Sequence, residues 1–258
     1  MSIFQNPLVS IVVVCFNESE IRIKRTLDSI ISQTYFKKEI ILIDGGSKVE
    51  TINILNQYAD IFSFYSSAPD NGIFDAMNRG LKNCKGEWIS FMNIGDSFFE
   101  STSLERMIEN TGPNDEIVYG NIMHSKLGFR KSPMSISKWV LFSSGICHQA
   151  MIARASTFSK VGLFDTKNKI GGDPDWIIRA FLKGVKFKNL DMIVCFYEGG
   201  GLSANPALQL HKKNRLRRLY FSFGERILFF IYLFLLKTWN RLNSLNFSFP
   251  FYLKKNRC

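Results

Sequence analysis

The stretch Val9-Ser10-Ile11-Val12-Val13-Val14-Cys15-Phe16 is a β-branched, apolar run that stops at the polar Asn17-Glu18-Ser19. Such a run suits a parallel strand covered on both faces. Ile23, Leu27, Ile30 and Ile31 then recur at helical spacing through residues 20–33. The pattern repeats. Residues 39–43, EIILI, predict a second buried strand that ends at Asp44-Gly45-Gly46-Ser47, and a helix follows over 51–58. Residues 61–65 predict a third strand and 75–84 a helix closed by Gly86. Residues 87–92 predict a fourth strand, ending at Asn93-Ile94-Gly95-Asp96. Four strand–helix alternations in about a hundred residues predict a doubly wound α/β sheet with right-handed crossovers. Sheets of this kind receive ligands at the carboxyl ends of their strands, where these three polar tips fall.

The second half is less regular. Residues 116–119, 149–152 and 192–197 predict strands. Residues 174–182 predict a helix with Pro174 at its first position, Asp173 as its N-cap and Gly184 past its end. A boundary is expected at Ala204-Asn205-Pro206, giving a catalytic domain over 1–205 and a helical tail over 206–258.

Composition supports this division. The 258 residues are 46% hydrophobic, enough for a real core. The net charge of +11 is concentrated in the tail, which holds eleven Lys or Arg against one acid, Glu225; the first 205 residues are nearly neutral. A basic tail points to an anionic surface. Five widely spaced cysteines without a CxxC pair fit reduced thiols, not a disulfide framework or a zinc site. The N-terminus has no basic n-region and reads as a strand, not a signal peptide.

Several side chains at the strand tips can carry chemistry. Asp96, flanked by Gly95 and Ser97, is placed to hold Mg2+ or Mn2+ against a diphosphate, since these hard cations take oxygen ligands and often only one or two carboxylates. An Asx turn or helix cap would use the same residue. Asp44, beside Gly45, can accept from a nucleobase N–H, or can close an ordinary turn. In GGDPDWIIRA, Asp173 or Asp175 can serve as a general base toward an acceptor hydroxyl, and capping of the helix is the plainer role. His148 stands alone in GICHQA, and a lone His is more often structural than catalytic. HExxH, Ser-His-Asp and P-loop patterns are absent, and GGGLS at 199–203 is not a dinucleotide fingerprint.

Together these stretches resemble family 2 glycosyltransferases of the GT-A fold. PLVSIVVVCFNESE, TLDSIISQTY, IILIDGGS, DNGIFDAMNRGLKNCKGEWISFMNIGD, ICHQAMIARASTFSKVGLFD and GGDPDWIIRA carry the likeness in order, across about residues 7–205. The fourth resembles the subset that assembles bacterial surface polysaccharides, colanic-acid-type transferases among them. The resemblance implies a mixed central sheet flanked by helices and a nucleotide-sugar donor, UDP-linked before GDP-linked. It implies inversion by a single displacement. Asn17, Glu18 and Asp44 with Gly45 would lie on the nucleotide side, with Asn93, His148 and Asp175 also near substrate. Asp70 and Asp75 are weaker donor-side candidates, and helix packing or capping would equally explain Asp75. Asp96 would bind the divalent metal and Asp173 would be the catalytic base. This chain departs from the family at Gly95 and Gly172, where acids are expected, and lacks the Gln-x-x-Arg-Trp motif of processive synthases, which favours one sugar per visit.

The tail joins a basic cluster, residues 211–218, to ten apolar residues, 227–236. A spanning helix needs about 20. The expectation is a helix lying in the headgroup region of an anionic membrane, on the cytoplasmic inner face of the plasma membrane, near a polyprenyl-diphosphate-linked saccharide acceptor. The same run would serve as a core helix, and part of the 24 Phe is accounted for either way. Competing classes are a nucleotidyltransferase acting on a sugar phosphate, a nucleic-acid-binding protein using the tail, and an inactive transferase-like scaffold. The acidic FNESE argues against the phosphate loop of the first, and the separation of basic and apolar blocks argues against nucleic acid.

Overall fold

The computed structural model describes residues 6–143, 145–167, 169–200, 205–228, 231, 232, 234, 235 and 238. Two compact units are present, Met1–Lys212 and Lys213–Cys258.

The first unit is built on a nine-stranded mixed sheet in the order β3-β2-β1-β4-β8-β6-β9-β5, with β7 (Gly128–Arg130) paired to β6. The parallel half consists of β1 (Val9–Cys15), β2 (Lys38–Asp44), β3 (Phe64–Ser67) and β4 (Trp88–Asn93), and it has the winding expected from the alternation. β1 is the central strand of that half and is buried along its whole length. Its one polar residue, Ser10, donates to Glu39 Oε1 at 2.5 Å and accepts from Gly86 N at 2.8 Å, so the interior position is satisfied. Gly86 is required there, because a Cβ would lie 2.6 Å from Ser10 N.

The remaining strands make the sheet mixed. β8 (Met151–Arg154) runs antiparallel to both β4 and β6 (Ile117–His124). β9 (Phe187–Tyr197) runs parallel to β6 and antiparallel to β5 (Ser97–Phe98). Helices α1 (Glu20–Ile31), α2 (Val49–Asn56) and α3 (Ile73–Leu81) connect the parallel strands. α4 (Ser103–Glu109), α5 (Lys138–Ser143), α6 (Ala155–Val161) and α7 (Gly172–Leu182) follow. α1 forms because Ile23, Leu27 and Ile30 make one apolar face, and all three are fully buried.

Several expected elements move. The third strand begins at Phe64, because Ala59–Ile61 form a 3-10 turn. The strand expected over 192–197 starts five residues earlier and carries a bulge beside Asp191, whose φ is +41°. α7 begins at Gly172 with Gly171, φ +80°, as its N-cap, so Asp173 is not the cap and Pro174 is the third helical residue.

In the second unit, the helix α8 (Pro206–Tyr220), which starts in the first, continues the basic stretch. Phe223, Ile227, Leu228, Ile231, Phe234 and Leu235 are exposed. Phe229, Phe230, Leu233, Leu236, Lys237 and Trp239 of the expected interfacial run lie outside the described residues, as do 201–203 of GGGLS. Among the described residues, no helix is long and apolar enough to cross a membrane.

Candidate active site

Register places the strand tips side by side. Cys15 pairs with Asp44 on β2, and Val14 pairs with Asn93 on β4. Two strand spacings therefore separate Asp44 from Asn93, about 10 Å.

Asp44 is fully buried, and its carboxylate organises the turn that follows it. Oδ2 accepts from Gly46 N (3.0 Å), Ser47 N (2.8 Å) and Ser67 Oγ (2.7 Å), while Oδ1 accepts from Ser47 Oγ (2.5 Å). Asn17 adopts φ +52°; its N–H donates to Ser47 Oγ and its Oδ1 accepts from Lys48 N, which ties the tip of β1 to the same turn. Gly45 is needed for close approach: a Cβ there would lie 2.6 Å from Asp70 Oδ2 and 3.3 Å from the Phe16 ring. Phe16, which is 60% exposed, was read only as the end of a strand. An exposed aromatic at a strand tip was the available signal.

The turn 94–96 is held from below by one face of α1. Thr26 Oγ1 accepts from Gly95 N and donates to Asp96 O, Arg22 Nη2 donates to Ile94 O, and Arg25 Nη1 reaches Gly95 O. Glu18 and Glu198 pair with Arg22, and Glu198 also pairs with Arg25. Burial is the main cause that raises the Glu18 carboxyl above its usual range. Gly95, φ +104°, leaves the space this network fills, because a Cβ would collide with Glu198 Oε2 and the Arg22 guanidinium. The acid expected at 95 is thus excluded by the ion pairs as well as by the backbone.

Asp96 is 5% exposed. Its Oδ2 accepts from Gln149 Nε2 (2.6 Å) and its Oδ1 from Glu198 N (2.9 Å). Burial nevertheless pushes its carboxyl up to about 6. Among the described residues, no three His, Cys, Asp or Glu side chains converge as a metal cage. Asp96 offers one hard carboxylate, which suits a cation whose remaining oxygens come from phosphates and water.

His148 lies on a 3-10 turn ahead of β8, and antiparallel pairing brings that turn to the end of β4. Its Nε2 is 3.3 Å from Asn93 Nδ2 and its Nδ1 is 3.3 Å from Asp173 Oδ2. The Asp173 side chain is 29% exposed, at the start of α7. Asp96, Gln149, His148, Asn93 and Asp173 therefore form one connected cluster.

Two of the expected site residues are used elsewhere. Asp175 is buried and pairs with Arg179 at 2.9 Å, and Arg179 also donates to Val161 O and Leu163 O. Asp75 pairs with Arg79 and accepts from Asn71 N, which is the packing and capping role. Asp70 accepts from Gly72 N at 2.8 Å. Two concavities, of about 600 Å³ (Asp115, Glu116, Arg154, Lys186) and 290 Å³ (Glu39, Ser63, Lys82, Lys85), lie at the opposite ends of the strands and contain none of the cluster.

The family model described as Glycosyl transferase family 2 matches residues 10–170. A PGL/p-HBAD biosynthesis glycosyltransferase of Mycobacterium tuberculosis is 32% identical over 204 residues, covering 76% of this chain and 79% of its own. An uncharacterized glycosyltransferase of the same species is 28% identical over 234 residues, with 86% and 88% covered. Among solved structures, Staphylococcus aureus TarS 1–349 in complex with UDP-GlcNAc superimposes with a TM-score of 0.63 at 17% identity, over 75% of this chain and 59% of that one. The Pyrobaculum calidifontis mannosyltransferase PcManGT, in complex with GDP-Man and Mn2+, gives 0.59 at 17% identity, over 76% and 58%. The chain thus spans less than two thirds of each of these solved chains.

Proposed function

The chain belongs to glycosyl transferase family 2 and is a glycosyltransferase of the GT-A fold; we propose that it moves one hexosyl or N-acetylhexosaminyl unit from a nucleotide-sugar, UDP-linked by preference, to a lipid-linked saccharide in surface polysaccharide assembly. The observation that carries the reading is Asp173, a part-exposed carboxylate held by His148 beside the β4 tip. The nucleotides in the two similar structures, UDP-GlcNAc and GDP-Man, support a nucleoside diphosphate donor.

On this reading the Phe16 ring and the 44–47 turn receive the base, and Asp44 acts by shaping that turn. Asp173 takes the proton of the acceptor hydroxyl as its oxygen attacks the anomeric carbon and the diphosphate leaves with its electron pair. Asp96 would hold a divalent cation brought in with the donor, and such a cation neutralises charge on the leaving diphosphate when bound. The catalytic domain ends near residue 205. The basic tail, with its exposed apolar residues, rests on the anionic cytoplasmic face of the plasma membrane, where a polyprenyl-diphosphate acceptor would be confined.

The test is a calorimetric and hydrolysis screen of UDP- and GDP-sugars with and without Mn2+, run alongside Asp173→Asn. At least one donor should bind, and Asp173→Asn should keep that affinity while hydrolysis falls by about 100-fold or more. Binding of no donor would refute the reading.

A further inference from the structure

We infer that His148 is a positioning residue rather than a donor contact: Asn93 fixes its ring in the Nδ1–H tautomer, and that N–H donates to Asp173 Oδ2, leaving Oδ1 for the acceptor hydroxyl. The inference rests on Asp173 being the base.

The chemistry of each atom dictates the arrangement. Asn93 Nδ2 carries only hydrogens, so the ring nitrogen 3.3 Å away must offer its lone pair. That nitrogen is Nε2, and the proton of a neutral ring is then on Nδ1. Nδ1 faces Asp173 Oδ2 at 3.3 Å, an oxygen that accepts. In a neutral ring, a reversed Asn93 amide would put the ring proton on Nε2 and set the Nδ1 lone pair against a carboxylate. In the amide orientation seen, Asn93 Oδ1 is buried without a hydrogen-bond partner, and the ring contact is what this orientation satisfies.

The ring is also fixed in place. His148 is 7% exposed. Its neighbour Gln149 is anchored to Asp96 through Nε2 and accepts from Cys147 Sγ at 2.9 Å through Oε1. His148 and Gln149 thus reach both carboxylates from one turn, and the His148 side chain is buried there. Asp173 gains a fixed rotamer from a buried donor, where otherwise an exposed helix start would let it turn. A misplacement of about 1 Å at such a group lowers turnover by about 100-fold.

The first experiment reads the proton directly. The full chain, labelled with 15N-imidazole histidine, has three histidines. They are assigned by His124→Gln and His211→Gln, and long-range 1H–15N correlation near pH ~8 reports each tautomer. The expected result is Nδ1–H for His148, shifting to a mixture in Asn93→Leu. Nε2–H or an imidazolium in the unmodified protein would overturn the inference. A second arm measures UDP affinity and hydrolysis of a donor from the screen. His148→Asn, whose amide nitrogen superimposes on Nδ1, should retain turnover within about 10-fold, and His148→Gln, whose nitrogen superimposes on Nε2, should lose about 100-fold. UDP affinity should hold in both. Weakened UDP binding with intact turnover would return His148 to the donor side. Full turnover in Asp173→Asn with the Nδ1–H signal intact would remove Asp173 as base and leave the His148–Asp173 bond standing.

Discussion

Gln149 Nε2 lies 2.6 Å from Asp96 Oδ2, and with the Glu198 N–H it gives this buried carboxylate both of its charge-stabilising donors. Burial outweighs them and holds the Asp96 carboxyl near 6, above the ordinary 3.8. Between those values the native protein keeps a proton that the unfolded chain releases. The associated stability is therefore complete below about pH 4 and lost as pH rises through about 6. Gln149→Leu removes one donor to the charged form and moves the carboxyl higher still. Urea unfolding should show a deficit of about 1–3 kcal/mol near pH ~8 that shrinks toward pH ~5, where Asp96 is protonated in both proteins. A deficit independent of pH would mean that packing, not the charge, is what Gln149 supports.

Gly172 stands where the family resemblance leads us to expect an acid, and Phe74 leaves no room for one. A Cβ at 172 would lie 2.8 Å from two atoms of the Phe74 ring, which is buried and packs on Phe164 at 5.9 Å. Gly172→Ala should cost about 1–3 kcal/mol through overpacking. In a Phe74→Leu background the cost should fall by more than about 0.5 kcal/mol, a coupling readable from a double-mutant cycle of thermal or urea unfolding. Gly172→Glu should lower stability and turnover together, because the added acid has no room beside Asp173.

The four described cysteines are free, and burial pushes every one of their thiols up, Cys84 to about 12. At about pH 8 a thiol of that kind is about one part in ten thousand thiolate. With Cys258→Ser as the background, the native protein should show no fast-reacting thiol toward Ellman's reagent, and four in denaturant. Fast native reaction would show that the segments around these cysteines open locally on the time scale of the assay.

The parallel half of the sheet was legible because its strands are buried on both faces and leave runs such as Val9–Cys15 and the stretch before Asp44. The mixed half was not. β9 is half-buried from Phe187 to Leu190 and exposed at Asp191 before its apolar end, so only residues 192–197 stood out. The short α6 and β7 carry too little periodicity to register. In the site, Asp96 and Asp173 were visible as carboxylates at strand and helix ends. Their link through His148 and Gln149 was not, because it depends on β8 running antiparallel to β4, which no local pattern encodes. Asp175 misled because its ion pair with Arg179 looks, in sequence, like any helix with acids in its first turn.

The tail offers the last test. α8 is basic, and past it Phe223, Ile227, Leu228, Phe234 and Leu235 are between 48% and 73% exposed. Large apolar side chains left in water near a block of positive charge gain on both counts at an anionic lipid surface, by about 1 kcal/mol per basic residue held close to it. The full chain should therefore co-sediment with phosphatidylcholine vesicles containing phosphatidylglycerol and not with phosphatidylcholine alone. Binding should weaken as salt rises and the Debye length shortens to about 3 Å at 1 M. Phe223→Ser combined with Phe234→Ser removes apolar anchoring worth about 1.5–3 kcal/mol for each ring fully buried in lipid, leaves the charge untouched, and should reduce vesicle binding at all salt concentrations. Loss of binding by charge neutralisation alone, with no effect of the two Phe substitutions, would describe a protein that hovers electrostatically. Salt-sensitive binding to single-stranded RNA in place of vesicles would assign the tail to nucleic acid instead.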